Sequence, residues 1–246
     1  MNYKINKGFE KFTPLLQTIQ TNFDLVDETI HKARNELKII NYEKTDIVVK
    51  SFKIPHIINR IVYTFFKDSK AKKSYNYALK IGEFTPKPIG YIEFFTFGLL
   101  QKSYFLAERF SYDFTIREPL LDKNFSKREE IFKAFARFTF SLHEAKIFHQ
   151  DYSPGNILIK QKDDDFIFKI VDINRMQFIS LSLAKRLQNF SKLWASDDDL
   201  SIMIKEYAHC MNEDEEKSIQ MALLYSQKHK AKINMKKRLK GIEVVD

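Results

Sequence analysis

Residues 148–176 read FHQDYSPGNILIKQKDDDFIFKIVDINRM and contain the most informative spacing in the chain. Three polar residues follow the pattern H-x-D-x-x-x-x-N, namely His149, Asp151 and Asn156. An apolar run follows Asn156, a polar turn comes next, and a second apolar run ends at Asp172. Two short apolar runs around a polar turn predict a β-hairpin. We expect this hairpin to bring Asn156 and Asp172 face to face.

These residue types suit the transfer of a phosphoryl group. Such a reaction is mostly positioning and charge neutralisation, so it needs a carboxylate near the acceptor hydroxyl and oxygen ligands for Mg²⁺. Asp151 is placed to orient and deprotonate the acceptor, while Asn156 and Asp172 offer the hard oxygen donors that Mg²⁺ prefers. The spacing alone also fits a helix-to-strand loop in which Asp and Asn make turn hydrogen bonds. The hairpin that ends at Asp172 favours the catalytic interpretation.

The composition indicates a globular protein with anionic partners. Of its 246 residues 44% are hydrophobic, and 23 Phe and 11 Tyr are ample for a packed core. The only cysteine is Cys210, which excludes a disulfide framework and favours a reducing compartment. The sequence shows neither a signal peptide nor a transmembrane stretch, so we expect a soluble, cytoplasmic protein. A net charge of +9 favours nucleotides, phosphorylated glycolipids, an anionic membrane or nucleic acid, and charge alone does not choose among them.

The first half of the chain is richer in strand patterns. Residues 37–40 and 47–52 predict an antiparallel hairpin, and two helices are predicted next, at 57–65 and 69–81. Two further strand-like runs cover 89–97 and 103–110. In the first thirty residues, Phe23, Leu25 and Ile30 mark candidate strand positions.

The second half is richer in helix patterns. Ser126, with Glu129 three residues later, predicts the N-cap of a helix that runs to about Ala145. Further helices are predicted at 181–193, 200–211 and 213–228. The acidic runs 163–165 and 197–199 are interpreted as solvated turns, with the alternative that the second run caps a helix. The order predicts an α+β protein, with a small, mostly β lobe followed by a larger α-helical lobe.

The stretch 148–176 resembles the protein-kinase-like superfamily, and more narrowly the lipopolysaccharide kinase family that phosphorylates Kdo or heptose sugars of the inner core. Asp172 stands where protein kinases have the Asp of D-F-G, and the following Ile173-Asn174-Arg175 is similar to the D-x-x-R form of the sugar kinases. Val48-Val49-Lys50 resembles the V-A-I-K strand. The resemblance covers residues 35–178. It implies a bilobal kinase-like fold, with a nucleotide-binding N-lobe at 1–110 and a helical C-lobe at 111–246 that carries the catalytic loop and metal site.

The same resemblance implies a phosphotransferase that uses ATP and Mg²⁺. The implied site residues are catalytic Asp151, metal-binding Asn156 and Asp172, and nucleotide-binding Lys50, Glu108 and Phe110. Glu108 and Phe110 would present backbone groups to the adenine edge. His149 is expected to support the loop through hydrogen bonds. Arg175 either touches substrate or phosphate or, as we favour, pairs with a carboxylate of the loop.

The sequence segments expected to surround Lys50 differ from the pattern of protein kinases. Residues 69–80 contain no acidic residue that could serve as the usual helix glutamate. Either Asp172 alone orients Lys50, or Asp68 or Glu83 reaches it, or the site is weakened. A glycine-rich loop is also missing, because residues 23–34 contain no glycine. The basic segment 31–34 would cover phosphates by charge, or it carries surface charges on a hairpin.

The basic tail of the chain helps to identify the class of acceptor. Residues 228–240 contain seven Lys or Arg, interleaved with Ile233, Met235 and Leu239. Such a helix can lie on an anionic membrane, bind nucleic acid, which is the less favoured partner, or form a solvated basic face. No A-P-E sequence follows Asp172, which argues against a protein substrate.

Three hypotheses follow from these features. The leading hypothesis is a kinase of a lipid-linked inner-core saccharide, working in the cytoplasm at the inner face of the inner membrane. The first alternative is a kinase of another small molecule or of protein, as in aminoglycoside-type and RIO-type relatives. The second is a pseudokinase that binds a partner.

Overall fold

In the computed structural model the chain forms two compact units, residues 1–111 and 112–246. The structure describes residues 1–27, 29–32, 35–52 and 57–243, without the side chains of 29–32 and 57–59. The segment 31–34, interpreted above as a cover for phosphates, therefore lies outside the residues whose side chains are described.

The N-terminal unit is built on a six-stranded antiparallel sheet with the strand order β1-β5-β6-β4-β3-β2. In chain order its strands are β1 (Asn2–Ile5), β2 (Thr29–Lys32), β3 (Asn35–Tyr42), β4 (Thr45–Phe52), β5 (Pro88–Thr96) and β6 (Leu99–Glu108). The predicted hairpin of β3 and β4 is confirmed, with Ile39 opposite Val48. Alternation along β4 sends Ile47 and Val49 to one face of the sheet and Phe52 to the other.

Helices cover both faces of this sheet. Two short helices, α1 (Thr13–Gln17) and α2 (Ile19–Leu25), contribute to the core that contains Ile47 and Val49. On the other face, α4 (Lys70–Ile81) packs Ala71 and Tyr75 against Phe52 and Tyr91. The remaining helix, α3 (Ile57–Phe65), precedes α4, and both helices confirm their predictions.

The strand prediction for Phe23 and Leu25 is wrong, since both residues lie in α2, whereas Ile30 does lie in β2. Leu16, Ile19 and Phe23 recur at spacings of three and four, and all are buried. The spacing was not recognised as helical because it is divided between two short helices instead of lying in one long helix.

The second strand-like run of the N-terminal unit begins earlier than predicted, at Leu99 instead of residue 103. A two-residue turn, Phe97–Gly98, closes the hairpin of β5 and β6, and both turn residues have positive φ angles of 49° and 73°. Such a turn matches the twist of the flanking strands, so pairing continues up to the turn itself.

The C-terminal unit is mainly helical. Its helices are α5 (Arg117–Leu121), α6 (Arg128–Glu144), α7 (Leu183–Phe190), α8 (Asp197–Met211) and α9 (Glu215–Arg238). Its strands are β7 (Phe114–Thr115), β8 (Ile147–His149), β9 (Ile157–Lys162), β10 (Asp165–Ile170) and β11 (Met176–Phe178). The predicted hairpin of β9 and β10 is confirmed, and β7 adds a third strand to it.

Two expectations for this unit need correction. Ser126 is not the N-cap of α6, because Lys127 holds that position with φ of 54° and makes no side-chain cap bond. The run 197–199 is not a solvated turn but the first turn of α8, capped by Ser196. Within it Asp199 is buried, and its carboxylate accepts a hydrogen bond from Arg128 at 2.5 Å.

The basic tail forms a continuation of α9, which runs to Arg238 rather than ending near residue 228. Among the described residues, none of the helices combines the length and the apolar character that a membrane crossing requires.

Candidate active site

His149 fixes the backbone of the loop that carries Asp151. The imidazole is completely buried, and its Nδ1 accepts the amide hydrogen of Asp151 at 3.1 Å. The ring hydrogen must therefore be on Nε2, which donates to the carbonyl of Val171 at 2.9 Å. Burial lowers the pKa of His149, so the ring is neutral at pH 7. His149 thus ties the loop to the end of β10, with both ring nitrogens bonded to backbone groups.

A second set of bonds joins the backbone at Asn156 to the residue that precedes Asp172. The amide of Val171 donates to the carbonyl of Asn156 at 2.9 Å, which joins the start of β9 to the residue before Asp172. The side-chain Nδ2 of Asn156 donates to the carbonyl of Asp151 at 2.9 Å. This bond engages the nitrogen of the Asn156 amide, so its oxygen is the atom that a cation would bind.

Asp172 adopts a backbone conformation that is uncommon outside glycine. Its φ and ψ are 56° and 45°, in the left-handed region that Asp tolerates better than most residues. Asn174, two residues later, donates from Nδ2 to Asp172 Oδ1 at 2.6 Å. The Asn of the D-I-N-R sequence therefore orients the Asp172 carboxylate.

Arg175 lies beside the carboxylate of Asp151. Its guanidinium is 3.8 Å from Asp151 Oδ2, and both side chains are about half exposed. Exposed pairs of this kind add little to stability. The pair therefore serves to place Arg175 and Asp151 next to each other at the surface of the loop.

Asn156 and Asp172 carry the oxygen donors that a magnesium ion would require. Mg²⁺ is usually held by one or two protein oxygens, with water and substrate phosphates completing its coordination. Among the described residues, no group of three or more His, Cys, Asp and Glu side chains forms a preformed metal cage. A ligand pair of one carboxylate and one amide oxygen is the donor set that such a shared site needs.

Sequence reasoning missed a hydrogen-bonded network behind the loop. Asn189, which is buried on α7, donates from Nδ2 to the carbonyl of His149 at 3.1 Å. The Oδ1 of Asn189 accepts from Nε2 of His143 at 3.1 Å, and Nδ1 of His143 accepts from the hydroxyl of Tyr207 at 2.7 Å. Burial lowers the pKa of His143 to about 4, so this ring is also neutral at pH 7. Helices α6, α7 and α8 are thereby connected to the backbone of the loop.

Arg117 is a further residue that the motif did not reveal. A Cβ atom added to Gly155 would lie 2.7 Å from the Arg117 guanidinium, so the arginine packs directly on the loop between Asp151 and Asn156. The sequence S-P-G indicates only a turn, and nothing in it predicts which side chain covers the glycine.

Lys50 lies in the N-terminal unit, on the sheet face that carries Phe52, Phe105 and Tyr91. Its ammonium is 5.4 Å from the centroid of the Phe52 ring. Asp68, one of the carboxylates considered as its partner, is paired with Lys72 at 2.8 Å.

Glu93 is a buried carboxylate on the same sheet face, only 7% exposed, that sequence reasoning did not single out. Glu93 lies within a strongly apolar strand, so the sequence pattern gave no sign that this carboxylate is distinctive. Burial raises its pKa, while a hydrogen bond from Ser69 and the charge of Lys72 act in the opposite direction.

Glu108 and Phe110 lie at the end of β6 and just beyond it. The amide of Glu108 donates to the carbonyl of Lys87 at 2.9 Å, so the carbonyl of Glu108 is its candidate group for adenine. Lys50, Glu108 and Phe110 belong to the N-terminal unit. The other five residues predicted for the site lie together in the C-terminal unit.

Comparisons with known proteins give the following findings. A family model described as the lipopolysaccharide kinase (Kdo/WaaP) family matches residues 85–212, which is just over half of the chain. A comparison with curated proteins finds no match. One similar solved structure, described as "WaaP in complex with acyl carrier protein", has 12% sequence identity and a TM-score of 0.63, and the match covers 94% of this chain and 99% of that chain. The likeness confirms the predicted fold class, a kinase-like fold with a β-rich N-terminal part and a helical C-terminal part.

Proposed function

Since the chain belongs to the lipopolysaccharide kinase (Kdo/WaaP) family and is a kinase, we propose that it transfers the γ-phosphoryl group of ATP to a hydroxyl of an inner-core sugar, Kdo or heptose. The observation that carries this proposal is the hydrogen bonding of Asn156, which is joined to the carbonyl of Asp151 and to the amide of Val171, the residue before Asp172. It supplies a carboxylate for the acceptor and two oxygen donors for Mg²⁺ in one loop and hairpin.

In the proposed reaction Asp151 orients the acceptor hydroxyl and takes its proton. The acceptor oxygen forms a bond to the γ-phosphorus, the bond from that phosphorus to the bridging oxygen breaks, and ADP leaves with the electron pair. Asn156 and Asp172 would hold Mg²⁺, which neutralises phosphate charge when it is bound. The neutral His149 keeps the backbone at Asp151 in place throughout.

The nucleotide is assigned to the N-terminal lobe, residues 1–110, and the chemistry to the C-terminal lobe, residues 111–246. Lys50 contacts phosphate, while the carbonyl of Glu108 and the backbone of Phe110 contact the adenine edge. The sheet face around Lys50 supports this assignment, because Val48 lies on the same face of β4, is only partly buried and offers apolar packing to a nucleotide base.

The acceptor is proposed to be lipid-linked, so the protein would work in the cytoplasm at the inner face of the inner membrane. The basic residues of 228–240 support contact with anionic headgroups, because Lys228, Lys232 and Lys236 are exposed and spaced four apart on α9. Nucleic acid is not the proposed partner.

Measuring ATP turnover with purified inner-core lipopolysaccharide tests the proposal. We expect turnover that requires both Mg²⁺ and the acceptor, and that falls by about 10²–10⁴-fold in Asp151→Asn, the typical loss for a general base. Asp163→Asn, in the exposed turn of the β9–β10 hairpin, is the matched control and should keep its activity.

Two outcomes would contradict the proposal. If the folded protein turns over ATP only with an aminoglycoside or a protein acceptor, the glycolipid assignment is wrong. If Asp151→Asn is as active as the control, the assignment of the base is wrong.

A further inference from the structure

One end of the N-terminal sheet presents large apolar side chains to solvent. Phe97, in the turn between β5 and β6, is 99% exposed. Phe65 and Phe66, at the end of α3, are 68% and 77% exposed, and Ile61 on the same helix is 43% exposed. We call these four residues the aromatic tip.

Two hydrogen bonds hold the members of the aromatic tip near one another. The Nε of Arg60 donates to the carbonyl of Leu100 at 3.0 Å, and the amide of Leu100 donates to the hydroxyl of Thr64 at 3.0 Å. Thr64 immediately precedes Phe65, and Leu100 follows Phe97 by three residues. The end of α3 is therefore fastened beside the turn that carries Phe97.

Phe97 is unfavourable at its position for two separate reasons. Its ring is in water, and its φ of 49° lies in the left-handed region, where a bulky residue is an outlier. Two-residue turns of this type strongly prefer Asn, Asp or Gly at that position. Neither folding nor solubility accounts for a phenylalanine there, and an apolar contact outside the fold does.

The surroundings of the aromatic tip are basic. Residues 60–73 contain the cations Arg60, Lys67, Lys70, Lys72 and Lys73 and a single acidic residue, Asp68. The carboxylate of Asp68 is paired with Lys72 at 2.8 Å and offsets one of the five positive charges, which leaves a formal net charge of +4 over residues 60–73. Exposed aromatic rings with a rim of Lys and Arg match the apolar interior and anionic headgroups of a bilayer surface.

We propose that the aromatic tip is a membrane-docking surface, in which Phe97, Phe65 and Phe66 enter the headgroup region of an anionic bilayer. The occupant is the bilayer surface itself, and the contact is separate from the basic stretch of α9. The choice of a bilayer rests in part on the proposed function, because a lipid-linked acceptor is reached at such a surface.

Phe97→Asn is the decisive variant, because it should weaken docking without harming the fold. Asn is favoured at a left-handed turn position, so we expect Tm to be unchanged or higher by roughly 1–3 °C. The full chain is sedimented with vesicles of phosphatidylethanolamine and phosphatidylglycerol. The variant should bind roughly tenfold more weakly than the wild type, the effect of losing one inserted phenylalanine.

The control is Leu121→Asn, which removes a residue of the C-terminal unit that is 78% exposed and should leave vesicle binding unchanged. Phe65→Ser with Phe66→Ser should weaken binding as Phe97→Asn does. Vesicle binding by Phe97→Asn at the wild-type level would overturn the proposal, as would a wild type that does not bind.

Phosphate transfer to a detergent-dispersed acceptor is measured on the same samples. If transfer fails while vesicle binding depends on Phe97, the proposed function is wrong and the docking surface stands. If transfer succeeds and vesicle binding is unchanged in Phe97→Asn, the proposed docking surface is wrong and the proposed function stands.

Discussion

At the scale of a single residue, the side-chain amide of Asn174 donates a hydrogen bond to the carboxylate of Asp172, which we assign as a ligand of Mg²⁺. Partners that orient a metal ligand typically contribute ten- to a hundredfold to metal affinity. We therefore expect Asn174→Ala to raise the Mg²⁺ concentration for half-maximal activity by about tenfold, with little change in Tm. Asn124→Ala, in an exposed loop, is the control. An unchanged Mg²⁺ requirement in Asn174→Ala would contradict the assigned role of Asn174.

The buried His143 makes the free energy of unfolding fall as the pH is lowered. Its pKa falls from the ordinary value of 6.5 to about 4 in the folded chain, because the ring is buried. Between these values the unfolded chain binds more protons than the folded one, so acidification favours unfolding. The contribution is complete above pH 6.5 and is lost as the pH falls towards 4, with a loss of about 2 kcal/mol at pH 5.

Denaturant unfolding at pH 7.5 and pH 5 checks this prediction. The stability advantage of the wild type over His143→Gln should be smaller at pH 5, because the variant lacks the titrating ring. An advantage of the same size at both pH values would show that His143 is not held neutral in the folded chain.

At the scale of one element, α9 carries the electrostatic part of the proposed membrane contact. Replacing Lys228, Lys232 and Lys236 with Glu should weaken binding to anionic vesicles by about a hundredfold or more, since each basic residue near such a surface contributes about 1 kcal/mol. The difference should shrink as salt is added. The charge-matched control replaces three exposed lysines elsewhere, Lys123, Lys160 and Lys162. Equal losses in both triple variants would mean that net charge, and not α9, governs binding.

Elements with a strong local pattern could be predicted, and elements that depend on distant contacts could not. The β9–β10 hairpin follows from two apolar runs around a polar turn, and β3–β4 follows from the same logic. The first turn of α8 was misread because Asp199 is buried through Arg128, which lies 71 positions away in the chain. The cap of α6 was misread because Ser126 fits the capping preference, yet the helix starts after Lys127 without a side-chain cap.

At the scale of the whole molecule, the candidate site also contains residues that a local motif predicts and residues that depend on distant contacts. Five of its residues, all within 149–175, come together in the C-terminal unit because one short motif carries them. Asn189, His143 and Tyr207 were not predicted, since they support the loop from three different helices. Glu93 was not predicted, since a carboxylate inside an apolar strand is detectable only from its burial. Motifs therefore specify the reacting groups, while the tertiary fold specifies their support.

We propose that this kinase transfers a phosphoryl group to an inner-core sugar with Asp151 as the base, and the mass of the saccharide product measures this transfer directly. Dephosphorylated inner-core lipopolysaccharide is incubated with Mg²⁺, ATP and the wild type, Asp151→Asn or Asp163→Asn, and the saccharide is analysed by mass spectrometry. We expect a mass increase of one phosphate on a Kdo or heptose residue with the wild type and with Asp163→Asn, and none with Asp151→Asn. A saccharide of unchanged mass after incubation with the folded wild type, or equal phosphorylation by Asp151→Asn, would show that the proposed reaction or its assigned base is wrong.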